Sequence, residues 1–120
     1  MVHRISWRAS AFAVGAMVAA WSAAADVQQV AAAAPSEVVI QNFAFVPSTL
    51  TVAPGTAVTW SNHDEEPHNI VNTPEPGQPR LFRSQAIDGG EKYTFVFDKR
   101  GTYRYICAVH PHMQGTIVVK

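Results

Sequence analysis

The sequence predicts an all-β domain, a sandwich or barrel, preceded by an export segment. Three observations carry this. From residue 37 onward the chain reads as short β-rich runs, and regularly spaced short strands suggest a sandwich or barrel. Turn chemistry separates the runs at Pro54-Gly55, Asp88-Gly89-Gly90 and Asp98-Lys99-Arg100-Gly101, where glycine supplies the positive φ that tight turns need. No amphipathic helix of useful length interrupts them. The chain has 120 residues, 48% hydrophobic and 15% charged, which fits one small globular domain and excludes disorder, collagen and a multi-domain enzyme. Nine Lys and Arg balance nine Asp and Glu, so the basic footprint of a nucleic-acid binder is missing and nucleic acid is not an expected partner.

In chain order, Arg4 and Arg8 precede an apolar run over 9–21, and Ala23-Ala24-Ala25 supplies small residues before Asp26. This is the layout of a secretory signal peptide over residues 1–25. A retained anchor would need about 20 strongly apolar residues, so no stable membrane insertion is expected after cleavage. The two arginines are not adjacent, and this implies export in an unfolded state with later metal loading. Residues 26–36, alanine-rich and ending in Pro35-Ser36, read as a flexible arm. The folded domain spans 37–120. Its strand-like runs are 37–46, 49–53, 56–62, 68–72, 80–86, 92–97, 102–108 and 115–119.

Alternation divides these runs into faces, because successive strand side chains point to opposite sides. Tyr93, Phe95 and Phe97 share one face, as do Val58 and Trp60, Leu50 and Val52, and Ile117 and Val119. Tyr103, Tyr105 and Cys107 form another inward face, which places Cys107 at the inner end of a core strand. Cys107 is the only cysteine. An unpaired thiol in an exported protein calls for burial, intermolecular pairing or metal ligation.

The segment Cys107-Ala108-Val109-His110-Pro111-His112-Met113 gathers a thiolate, two imidazoles and a thioether on one short loop. His68, in Pro67-His68-Asn69, begins another run and can meet that loop at one end of a sandwich. Two histidines and a cysteine with a weak axial methionine are the ligand set of blue-copper electron transfer. Zinc can also use the three stronger ligands. His63, beside Asp64, Glu65 and Glu66, reads as a solvated turn residue.

Trp60-Ser61-Asn62 followed by Asp64, then Pro67-His68-Asn69, then Gly101-Thr102-Tyr103-Arg104-Tyr105 leading into C-x2-H-x2-M, resembles the cupredoxin family of type 1 blue copper proteins. The short ligand loop is most similar to the amicyanin branch, with plastocyanin and pseudoazurin as wider relatives. The resemblance covers about residues 37–120 and implies a Greek-key β-sandwich. It implies one copper ion cycling between Cu(I) and Cu(II), with His68, Cys107 and His110 as equatorial ligands and Met113 as the long axial one. It also implies that Asn69 hydrogen-bonds across to the ligand loop and orients the site. Two positions depart from the pattern. Val109 stands where a proline is common and restores a backbone N–H near the sulfur, and His112 stands where an aromatic residue is common.

By the same resemblance the electron leaves through His110, set among Pro67, Val109, Pro111 and His112. The acidic run Asp64-Glu65-Glu66 reads as a soluble turn that can also steer a basic partner. The expected function is a monomeric periplasmic carrier of single electrons, not an enzyme. Its partners would be redox proteins, such as a dehydrogenase donor and a c-type cytochrome or oxidase acceptor. The alternative is an exported copper-binding module for delivery or buffering.

Overall fold

The computed structural model describes Gly15 and residues 36–120. The expected signal peptide and arm lie outside the described residues, apart from Gly15 and from Ser36, which opens the first strand. The eight strands are β1 (Ser36–Gln41), β2 (Ala44–Val46), β3 (Thr49–Val52), β4 (Thr56–Asn62), β5 (Val71–Asn72), β6 (Lys92–Phe97), β7 (Gly101–Ile106) and β8 (Gln114–Val119). They form two four-stranded sheets, ordered β2-β1-β4-β6 and β3-β8-β7-β5. Both sheets are mixed, since β1 runs parallel to β4 and β3 parallel to β8 while the other pairs are antiparallel. This is the β-sandwich the sequence predicts.

The core lies between the sheets, and the expected faces fill it. Val58 and Trp60 from β4, Tyr105 from β7, and Ile117 and Val119 from β8 are buried. Tyr93, Phe95 and Tyr103 are partly buried against them. The Trp60 and Tyr105 rings meet edge to face with centroids 5.4 Å apart, a favoured aromatic geometry that ties one sheet to the other. On the outward side, Val96 is 48% exposed, as the alternation requires.

Three runs differ from expectation. The run 37–46 is a hairpin, with β1 and β2 paired through Gln41 and Ala44 and joined at Asn42 and Phe43, both at positive φ. No glycine marks that turn, because the distant carboxylate of Asp64 holds its two amides. Of the run 68–72, only Val71–Asn72 is strand. The run 80–86 forms no strand; Arg83 makes an isolated bridge to Val71, and Ile87, just beyond the run, makes one to His68. Side chains interrupt a regular ladder there: Ser84 Oγ accepts from Ile70 N and Asn72 Oδ1 accepts from Leu81 N, beside the backbone bonds from Ser84 N to Ile70 O and from Asn72 N to Phe82 O. Side-chain bonds to the backbone give it an alternative to regular sheet pairing.

Two core positions generate predictions. A Cβ at Gly115 would overlap the Tyr105 ring, so Gly115→Ala is expected to lower stability by about 1–3 kcal/mol, read from the urea midpoint. The Tyr105 hydroxyl and Trp60 Nε1 are buried without hydrogen-bond partners among the described residues. Burial pushes the Tyr105 pKa up to about 12, although the facing Trp60 indole works against the rise. The folded state therefore keeps a proton that the unfolded chain loses near 10.0. Stability from this group is complete below that value and is lost as pH rises toward about 12. Tyr105→Phe should remove most of this alkaline loss, leaving a smaller slope from Tyr93, whose pKa burial also raises. At neutral pH the substitution should leave stability close to wild type, because it deletes a buried unpaired hydroxyl.

Candidate metal centre

The site forms at the end of the sandwich where β4 and β7 both terminate. Asn62, the last residue of β4, is buried and organises the adjoining loop through its side chain. Its Nδ2 donates to Glu66 O at 2.8 Å and Ile87 O at 2.9 Å, while its Oδ1 accepts from Asp64 N at 2.9 Å. The loop thus folds around one amide and delivers His68 to a fixed place. There His68 N donates to Ile87 O at 3.1 Å and Ile87 N donates back to His68 O at 2.7 Å. The imidazole is fully buried.

Cys107 comes directly after β7 and is also fully buried. The loop after it closes by successive turns: His110 N donates to Cys107 O at 3.2 Å, and Met113 N donates to His110 O at 2.9 Å. Cys107 N donates to Met113 O at 3.1 Å, which returns the chain to its starting point and into β8. The three-residue spacing in C-x2-H-x2-M is the spacing of these turns. Met113 is buried at the end of the loop.

His68, Cys107 and His110 converge, with their potential ligand atoms all within 4.8 Å of one another. The Cys107 Sγ lies 3.7 Å from His68 Nδ1 and 3.8 Å from His110 Nδ1. Metal–sulfur and metal–nitrogen bonds of about 2.3 and 2.0–2.1 Å, the values for zinc, place sulfur and nitrogen about 3.8 Å apart in a trigonal arrangement. Both sulfur–nitrogen separations therefore match those of a thiolate–imidazole metal centre.

Other polar groups brace this cluster. Asn69 Oδ1 accepts from Ala108 N at 2.7 Å, joining the segment of His68 to the loop of Cys107. Asp64 departs from the sequence reading. Its side chain is only 9% exposed and its Oδ2 lies 2.9 Å from His68 Nε2. The same carboxylate accepts from Asn42 N at 2.7 Å and Phe43 N at 3.0 Å. Burial works to raise the Asp64 pKa, but the Phe43 and Asn42 amides and then His68 outweigh it and hold it below 3.8. Only Glu65 and Glu66 of the acidic run are exposed, as is His63.

Phe43 is equally hidden in the sequence. Its ring stands edge-on to His68 at 5.3 Å and to His110 at 5.0 Å, covering both imidazoles. The signal for Asp64 is its place four residues before His68; Phe43 leaves no local signal. Around the cluster, His110 is partly exposed, while Pro67, Val109, Pro111 and His112 are exposed. The His112 ring lies 6.5 Å from that of His110.

The family model described as copper binding proteins, plastocyanin/azurin family, matches residues 32–120. The chain belongs to this family. Its cofactor is copper, and the thiolate–imidazole cluster is the part of the structure suited to it. This cupredoxin is 36% identical to amicyanin-alpha of Methylorubrum extorquens, over 99% of this chain and 100% of that protein. It is 39% identical to the plastocyanin of Scenedesmus fuscus, over 63% of this chain and 86% of that one. Among solved structures, it resembles a purple cupredoxin from Nitrosopumilus maritimus with a TM-score of 0.65 at 31% identity, covering 71% of this chain and 99% of that one. It is also similar to the copper-containing nitrite reductase of Thermus scotoductus, with a TM-score of 0.66 at 31% identity. That match covers 72% of this chain but only 22% of the reductase.

Proposed function

We propose that this cupredoxin is a mobile carrier of single electrons, with copper held by His68, Cys107 and His110 and weakly by Met113. The observation that carries the reading is the approach of both Nδ1 atoms to the one buried thiol, at 3.7 and 3.8 Å. Copper, when bound, supplies the one-electron couple. The protein supplies a thiolate suited to Cu(I), imidazoles suited to Cu(II), and a backbone that holds them in one arrangement. Two ligands are fully buried and His110 alone reaches the surface. That arrangement suits electron passage through an imidazole edge and gives no support to substrate turnover.

Docking then falls on the His110 edge, with Pro67, Val109, Pro111 and His112 around it. A mobile carrier meets its partners there in turn, as a monomer. A dehydrogenase donor and a c-type cytochrome or oxidase acceptor are the expected partner classes. The segment 1–25, with its basic start and small residues before Asp26, supports export to the periplasm and cleavage. Asn69, bonded to Ala108 N, orients the ligand loop.

The test is a Cu(II) titration of residues 26–120 followed by visible absorption, then cycling with ascorbate and ferricyanide. An intense blue band that saturates at one copper and bleaches reversibly is expected. Cys107→Ser should abolish the band. A site that binds copper without reversible reduction would instead indicate delivery or buffering. A further expectation concerns the loop: Val109→Pro removes an N–H near Cys107 and should lower the midpoint potential, since hydrogen bonds near the sulfur stabilise the reduced site. A raised potential would count against that role.

A further inference from the structure

Asp64 makes contacts that a soluble turn residue does not need. Its carboxylate receives two consecutive backbone amides, Asn42 N at 2.7 Å and Phe43 N at 3.0 Å, and faces His68 Nε2 at 2.9 Å. Asn42 and Phe43 both have positive φ, 52° and 57°. Successive amides turned to one side in this way form a concave anion-binding nest. This backbone conformation is unfavourable for a residue with a Cβ, so a bulky Phe43 there needs an external hold. Asp64 provides it. The consequence is the placement of the Phe43 ring against His68 and His110. His68 is fully buried, and the carboxylate is the hydrogen-bond partner the structure gives its Nε2. With the proton on Nε2, the Nδ1 lone pair is left facing Cys107 Sγ.

We propose that Asp64 is a positioning residue of the copper site, which fixes the His68 tautomer, seats Phe43 over both histidines, and biases the centre toward Cu(II). This rests on the electron-carrier reading of the same site. A carboxylate behind a ligating imidazole raises its basicity, and a fixed negative charge interacts more strongly with the more positive oxidation state. Both effects lower the reduction potential. Phe43 adds an apolar edge that limits the approach of water to the two rings.

The test compares the copper-loaded wild type, Asp64→Asn and Asp64→Glu. Each is poised against a redox mediator while the blue band is followed. Asp64→Asn keeps the size of the side chain and removes its charge. It should retain a blue band, shift the Cu(II)/Cu(I) equilibrium roughly tenfold toward Cu(I), or about 59 mV upward for one electron, and weaken Cu(II) retention by about 10-fold or more. Asp64→Glu should recover part of both losses. Proton NMR of the diamagnetic Cu(I) wild type provides a readout independent of any variant, because a carboxylate-bound His68 Nε2–H should exchange slowly with solvent. A blue wild type without that slowly exchanging proton overturns the proposal, whether or not Asp64→Asn folds. So does an Asp64→Asn protein with wild-type potential. A wild type with no blue band overturns the carrier reading itself, and is distinguished from the other outcomes by its spectrum.

Discussion

The contact between Trp60 and Tyr105 is the constraint on which the rest of the structure depends. It joins β4 to β7 across the sandwich, with centroids 5.4 Å apart. Both strands run out at the same end, so the loops beyond them inherit the separation set in the core. His68 comes from beyond β4 and Cys107 from beyond β7. Rings that bury about 150–250 Å² each therefore place an imidazole beside a thiol. The absence of a Cβ at Gly115 lets the Tyr105 ring lie where this geometry requires.

The site adds a second layer of restraint. Each donor is held by backbone bonds that do not involve the metal: His68 by its reciprocal pair with Ile87, and the loop by the closed circuit from Cys107 through His110 to Met113. A one-electron site benefits from such restraint, because ligands that stay in place need little rearrangement when the charge changes. Imidazole and thiolate are also costly to bury without partners. The carboxylate of Asp64 and the cluster itself meet that need, so polar groups in the core serve chemistry and packing together.

The division of the acidic run illustrates how the fold assigns different work to neighbouring residues. Glu65 and Glu66 stay in solvent, while Asp64 turns inward. The buried Asn62 amide decides this, since its Oδ1 captures Asp64 N and its Nδ2 captures Glu66 O. The loop is bent between them, and of the three carboxylates it is Asp64 that reaches His68. The same bend brings Asp64 to the β1–β2 turn, and a residue pair remote in sequence becomes part of the metal site.

The order of residues along the chain is enough to set the all-β class, the inward faces of β4, β6, β7 and β8, and the close spacing of Cys107, His110 and Met113 on one loop. Those features are local: alternation has a period of two, and C-x2-H-x2-M is the repeat of the turns that close the loop. Three others are settled in three dimensions alone: 80–86 forms no strand, Asn42 and Phe43 turn a hairpin, and Asp64 leaves its neighbours for His68. Each depends on a bond made outside its own run, Ser84 with Ile70, Asp64 with Phe43, Asp64 with His68. Local propensity carries no record of such bonds, because the partner that satisfies a buried amide or imidazole exists only once the chain has folded.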